Sequence, residues 1–109
     1  MVTNRRANLN VVLRAIADPT RREILNLLRG GQHTVGELAA NFRTSRPAIS
    51  KHVRLLRSAG LVVARRRGNT RVCNLNAKPL HAINEWLQDY ETFWRATMHD
   101  LKNYVEDDR

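Results

Sequence analysis

Seventeen residues, Thr44 to Gly60 (TSRPAISKHVRLLRSAG), dictate one local structure and give it two unlike faces. Ser45 suits an N-cap, because its hydroxyl can accept an orphan backbone N–H of a first helical turn. Pro47 falls inside that turn, where a missing N–H costs nothing. Ile49, Val53 and Leu56 recur at i, i+4 and i+7, with Ala48, His52, Leu55 and Ala59 beside them, so one side is built for a core. Arg46, Ser50, Lys51, Arg54 and Arg57 take the remaining surface. Gly60 ends the helix with a residue that tolerates the left-handed conformation. An apolar back and a basic, hydroxyl-bearing front that begins at the N-terminus suit a helix that enters a DNA major groove.

Charge sharpens that reading. The formal net charge is +9, and nine basic residues lie between Arg43 and Arg71, a stretch with no Asp or Glu. The other ten basic residues balance ten acidic ones, so the whole surplus sits in one segment. A solvated face normally mixes signs, because clustering one sign repels itself and weakens folding. A polyanion partner is the physical reason to keep such a segment.

The totals set limits. A chain of 109 residues is expected to be one domain, spanning 1–109. It contains no apolar run of 18 residues, and Met1-Val2-Thr3-Asn4-Arg5-Arg6 leads to no long apolar segment, so neither a transmembrane helix nor a signal peptide is expected, and a cytoplasmic location follows. A single cysteine leaves no internal disulfide and no multi-cysteine zinc site.

In chain order, residues 1–8 read as a flexible basic arm. Leu9, Val12, Leu13 and Ile16 then mark a first amphipathic helix over 9–17. Asp18-Pro19 ends it and caps a second, whose core side is Ile24, Leu27 and Leu28 and whose stop is Gly30-Gly31. Thr34-Val35-Gly36-Glu37 has the spacing of a capping box, with Leu38, Ala39 and Phe42 completing a short third helix. Together with the opening helix this makes a helix-turn-helix over 34–60. Residues 61–75 change period: Leu61-Val62-Val63-Ala64-Arg65-Arg66-Arg67, the turn Gly68-Asn69, then Thr70-Arg71-Val72-Cys73-Asn74-Leu75. That is a two-stranded hairpin, a wing with arginines at its tip. From 77 to 105 there is no Gly and only Pro79 at the start, which gives a last helix ~40 Å long, with Asn76 as its cap. Leu80, Ile83, Leu87, Tyr90, Trp94, Thr97, Leu101 and Tyr104 follow 3- and 4-residue steps along it, and five of the six aromatics lie there. So small a domain cannot cover that stripe alone, so a second subunit is the economical cover. The expected dimer interface is therefore Leu9, Val12, Leu13 and Ile16 with Leu80, Ile83, Leu87, Tyr90, Trp94 and Leu101.

The chain resembles the ArsR/SmtB family of bacterial winged helix-turn-helix repressors. The resemblance rests on Ala17-Asp18-Pro19-Thr20-Arg21-Arg22-Glu23-Ile24-Leu25, on Thr34 to Leu38 (TVGEL), on Ser45 to Gly60 and on the arginine-rich wing, and runs from about residue 9 to 104. It implies a mainly α fold with a small β-hairpin, in the order of four helices, two strands and a fifth helix. It also implies a homodimer through the first and last helices that binds a pseudo-palindromic DNA operator and represses transcription, often of its own operon. Many members sense metals through a Cys-x-Cys pair in the third helix, where this chain has His33-Thr34-Val35-Gly36-Glu37-Leu38. Others use paired Asp/His and His/Glu ligands on the last helix, whereas His81 and His99 here stand 18 residues apart outside such a pattern. No metal and no cofactor is expected, and the tail resembles members without a recognised metal site.

Within this frame the DNA-contacting residues are expected to be Thr44, Ser45, Arg46, Pro47, Ser50, Lys51 and Arg54 on the helix and Arg65, Arg66, Arg67 and Arg71 on the wing. Arg46 suits base readout, since guanidinium pairs bidentately with guanine O6 and N7. Ser50 and Lys51 read or brace neighbouring positions, Pro47 meets a thymine methyl, and the others hold phosphates. Cys73, in phase with Leu75, reads as a small buried hydrophobe without a resolving partner. His52 reads as packed or phosphate-bonding, and His33 as solvated. No phosphate loop, nucleophile elbow or paired carboxylate beside a histidine supports an enzyme. The alternatives are a metal- or redox-responsive member of the same family, or a winged helix binding nucleic acid, including duplex RNA, without sequence preference. No inducer is indicated by any residue pattern.

Overall fold

The computed structural model describes residues 3–107, with side chains from Asn8 to Glu106. The elements in order are α1 (Thr3–Ile16), α2 (Pro19–Arg29), β1 (His33–Thr34), α3 (Val35–Ala39), α4 (Arg46–Ser58), β2 (Val62–Arg67), β3 (Thr70–Leu75), a single 3-10 turn (Lys78–Leu80) and α5 (His81–Asp107). The result is a mainly α winged helix-turn-helix with a small antiparallel sheet in the order β1-β3-β2.

The caps fall where the side-chain chemistry puts them. Asp18 precedes α2 and accepts the Arg21 backbone N–H at 3.0 Å. Around α3 the capping box is complete: Glu37 N–H donates to Thr34 Oγ1 at 3.1 Å, and Thr34 N–H donates to Glu37 Oε1 at 3.0 Å. At α4, Ser45 Oγ accepts the Ala48 N–H at 3.2 Å. Gly60 leaves the helix at φ +78° and Gly68 turns the wing at φ +59°, both in the region that a Cβ disfavours.

One core joins α1 to α4 and the base of the wing. Ile24, Leu38, Ile49, Leu56 and Leu61 are fully buried at its centre, with Val12, Val53 and Val62 around them. Asn76 fastens the foot of the wing to the end of α4. Its backbone N–H donates to the Leu61 carbonyl at 2.8 Å and its side-chain amide to the Gly60 carbonyl at 2.9 Å. The same side chain accepts the Lys78 N–H at 3.3 Å, but α5 proper starts only at His81, after the 3-10 turn that carries Pro79.

Four expectations need correction. Residues 3–8 are not an arm but the start of α1; they contain no Gly or Pro to stop a helix, and residues 1–2 lie outside the described ones. Val12, expected at a subunit interface, is 1 % exposed and packed in the chain's own core, because α1 packs on α2, the 3-10 turn and the start of α5. His33 is not in a solvated loop but in β1, paired with Cys73, its side chain 33 % exposed and 3.8 Å from Glu37. The sheet has three strands rather than two, since His33–Thr34 adds to the outer edge of β3. A two-residue strand has no period of its own, so no sequence pattern announces it.

α5 leaves the core almost at once. Leu80 and Ile83 pack against it, Leu87 is half-buried, and beyond that Tyr90, Phe93, Trp94, Met98, Leu101 and Tyr104 are all exposed. Trp86, Tyr90 and Trp94 form an aromatic ladder along one side, with ring centroids 5.5 and 6.4 Å apart. The chain measures 66 × 39 × 20 Å with a radius of gyration of 18.9 Å. A compact chain of this length would have about 13 Å.

Candidate nucleic-acid interface

The exposed basic surface begins with the way α4 is held. Ile49, Val53 and Leu56 lock one side of the helix into the core, so the opposite side is fixed in orientation. Thr44, Ser45, Arg46, Pro47, Lys51 and Arg54 are exposed, and Ser50 is half-buried where α4 turns toward the wing. The expected helix residues are thus brought onto one surface. The guanidinium of Arg46 lies back over α3, about 3.6 Å from the position a Cβ on Gly36 would take. That is ordinary van der Waals contact, so the guanidinium rests on the α3 backbone at Gly36.

The strand register divides the wing arginines. Arg66 pairs with Arg71, Ala64 with Cys73, Arg65 with Val72 and Arg67 with Thr70. Cross-strand partners share a face, and successive residues alternate. Arg66 and Arg71 therefore stand on the face that meets α4, together with Ala64 and Cys73, which line the crevice there. Arg65 and Arg67 stand on the other face, with Val63 and Asn74. All four arginines are exposed. Like charges directly opposite each other destabilise a ladder, so the Arg66–Arg71 pair is a local cost that an anion would relieve.

Cys73 is fully buried at the base of this face. Burial pushes its thiol above the usual range, against the opposing influence of Arg57 and Arg71. A raised thiol is a poor nucleophile, which fits a packing role. Among the described residues, no three His, Cys, Asp or Glu side chains gather as a metal ligand set would, and no helix is long and apolar enough to cross a membrane.

Residues 18–63 match the family model described as "Bacterial regulatory protein, arsR family". The transcriptional repressor SdpR of Bacillus subtilis (strain 168) is 39 % identical over 82 residues, covering 75 % of this chain and 91 % of that protein. The chain belongs to the arsR family.

An arsenical resistance operon repressor of Staphylococcus xylosus is 36 % identical over 84 residues, covering 77 % of this chain and 81 % of the relative. Among solved structures, the ArsR family transcriptional regulator RHA00566 superposes with a TM-score of 0.75 at 35 % identity, over 82 % of this chain and 92 % of that one. These relatives are regulators rather than enzymes, as the residue patterns led one to expect.

In this arsR-family chain the run Asp18-Pro19-Thr20-Arg21-Arg22 has a mechanical role that sequence reasoning missed. The helix α1 ends with open carbonyls, and the two arginines close them from the first turn of α2. Arg21 donates to the Ala15 carbonyl at 2.6 Å and to the Arg14 carbonyl at 2.9 Å. Arg22 donates to the Ile16 carbonyl at 2.7 Å and to the Ala17 carbonyl at 3.1 Å. His52 of α4 completes the knot, its Nδ1 3.4 Å from the Arg21 guanidinium and 3.9 Å from the Asp18 carboxylate. The Arg21 backbone N–H, above all, holds the Asp18 carboxyl below its ordinary value, with His52 and the Arg21 charge helping against partial burial. His52 is thereby turned inward, away from the exposed basic face. A signal existed in the sequence: two consecutive arginines just after a helix-ending Asp-Pro lie where orphan carbonyls need donors.

Proposed function

We propose that this chain is a sequence-specific DNA-binding transcriptional repressor acting as a homodimer, with autorepression its simplest use. The observation that carries the reading is the exposed basic front of α4, with Arg46, Lys51 and Arg54, flanked by the wing face that carries Arg66 and Arg71, in a segment without one acidic residue. In this reading each subunit sets α4 in a major groove, and a two-fold dimer presents a pair of such helices about 34 Å apart, or a small multiple of that, on a pseudo-palindromic operator. Arg46 swings from Gly36 to a base edge, Ser50 and Lys51 read or brace the next positions, and Pro47 packs on a thymine methyl. Thr44, Ser45 and Arg54 hold phosphates, as do the wing arginines: Arg66 and Arg71 on the strand beside α4, Arg65 and Arg67 toward the flanking DNA.

The dimer is supported by area. The chain exposes 8524 Å², whereas a compact monomer of this mass would expose roughly 6,200 Å². The excess, about 2,300 Å², is of the size that each partner hides in an obligate homodimer. The exposed large apolar side chains gather on α5, whose Trp86, Tyr90 and Trp94 ladder a second copy would cover, together with Leu9, Leu13 and Ile16 of α1. The whole chain is one domain in this reading: 34–60 reads DNA, 61–75 flanks it, and α1 with 77–105 joins the subunits.

The test is titration of fluorescent duplexes, one carrying the gene's own upstream region and one scrambled, at two salt concentrations. The proposal requires a preference for the upstream duplex that survives the higher salt. Equal binding to both, lost at higher salt, would reduce the protein to a polyanion binder and open the duplex-RNA alternative. Replacing Arg46 with Ala should cost about 1–3 kcal/mol at one base position. A uniform loss across all sequences would make it a phosphate contact instead.

A further inference from the structure

The crevice between α4 and the wing is lined along one helix stripe by Ser50, Val53, Arg54 and Arg57, at i, i+3, i+4 and i+7, and from the sheet by Arg71 and Cys73. Its volume is about 230 Å³. Three arginines and a serine thus share the lining of one crevice with buried Val53 and Cys73. Among the described residues, none of the three arginines meets a carboxylate within salt-bridge distance; the acid contacts go to His33, His52, His81, Arg95 and Lys102. Helix capping gives Arg57 one structural use, since it stands in the last turn of α4 where a cation suits the helix dipole. That does not account for Arg71, which comes to the same crevice from a different element and stands opposite Arg66.

We propose that this crevice is an oxyanion seat for one phosphate group, with Arg57 as a ligand alongside Arg54, Arg71 and Ser50. The assignment deepens the DNA-binding reading and rests on it for the source of the phosphate. Guanidinium forks match the geometry of a tetrahedral oxyanion, and a hydroxyl supplies a further donor. The seat lies where the recognition helix and the wing diverge. The phosphate it takes is therefore one on the backbone between the major groove read by α4 and the flanking groove reached by the wing. Arg57 gains a role there that its position in the last helical turn, far from the reading end of α4, does not suggest.

The experiment has two arms. In the first, duplex binding is measured against salt for the wild type, Arg57→Gln, Arg57→Lys and the control Arg29→Gln, which removes an exposed charge at the end of α2. The seat predicts that Arg57→Gln lowers the log–log salt slope by about one unit and weakens binding roughly tenfold, equally on both duplexes. Arg57→Lys keeps the slope but not the full affinity, because a point charge lacks the fork. Full recovery of affinity with lysine would reduce Arg57 to a helix-end charge and overturn the seat, as would a loss no larger than that of Arg29→Gln. In the second arm, arginine Nε–H signals are followed by NMR as sodium sulfate is added, against sodium chloride at equal ionic strength, without DNA. Saturable, sulfate-specific shifts at Arg57 and Arg71 that vanish in Arg57→Gln show a seat open to free oxyanions. A lowered slope without such shifts assigns the seat to the DNA backbone alone. Absence of both the lowered slope and the sulfate-specific shifts overturns the seat. If the wild type binds no duplex at all, the DNA reading fails by itself, and the sulfate arm alone decides the seat.

Discussion

Arg21 offers the sharpest check on how α1, α2 and α4 are joined. Arg21→Met keeps the aliphatic stem and removes the guanidinium, taking the side-chain donor from the Ala15 carbonyl and from His52 Nδ1, while the Arg14 carbonyl keeps the Ala17 backbone N–H at 3.3 Å. The Ala15 contact, at 2.6 Å and partly buried, is the strong one. A charged donor of this kind contributes about 1.5 kcal/mol, the lower end of its range, because half-exposed carbonyls recover some hydration. The exposed Arg14 contact adds roughly 0.5 kcal/mol at most, and the longer approach to His52 less. The expected loss is therefore about 1.5–2 kcal/mol, or a fall in Tm of roughly 6–15 °C for a domain of this size. Arg22→Met, whose contacts to Ile16 and Ala17 are both exposed, should cost roughly 0.5 kcal/mol. Guanidinium chloride unfolding at equal protomer concentration measures both, with the midpoint shifting at constant slope. If Arg21→Met lost no more than Arg22→Met, the closure of α1 by α2 would not be a stabilising joint, and the reasoning would fail.

Two further perturbations act elsewhere. Asp18 has its carboxyl held below the ordinary 3.8, so its charge stabilises the fold above that pH, and the benefit is lost as pH falls through the folded value. Asp18→Asn keeps a capping oxygen and removes the charge. Wild type should exceed it by about 0.5 kcal/mol at neutral pH, with the gap closing below about pH 4; a gap that persists in acid would assign the effect to packing. Trp94 is 49 % exposed in the single chain. Covering that half of the ring by a second copy removes about 120 Å² of apolar surface, worth up to ~3 kcal/mol per subunit. Trp94→Ala should therefore raise the dimer dissociation constant by at least tenfold in sedimentation, and a dimer as tight as wild type would move the interface off this stripe.

Much of the fold was legible because local physics decided it. Asp18, Thr34 and Ser45 cap their helices, Gly60 and Gly68 take positive φ, and Ile49, Val53 and Leu56 face the core, since each outcome needs only neighbours along the chain. The basic segment was visible for the same reason, as charge is counted and not folded. What escaped was contact between distant stretches. β1 exists only because β3 offers it an edge. Val12 sits in the core because α2, the 3-10 turn and the start of α5 pack on α1, and periodicity alone cannot tell an own core from a partner's surface.

The sequence by itself therefore determined the helices and the hairpin, the caps of the second, third and fourth helices and the sign of the surface, because helix ends, periodicity and charge are set within a few residues. Only the tertiary structure decided which arginines keep company. Arg21 and Arg22 bend back to carbonyls five to seven positions earlier. Arg66 and Arg71 part from Arg65 and Arg67 by the strand register, and Arg54, Arg57 and Arg71 meet across a crevice that separate elements enclose. Those groupings depend on how elements pack and pair, and pairing is settled by the burial of side chains far apart in the chain.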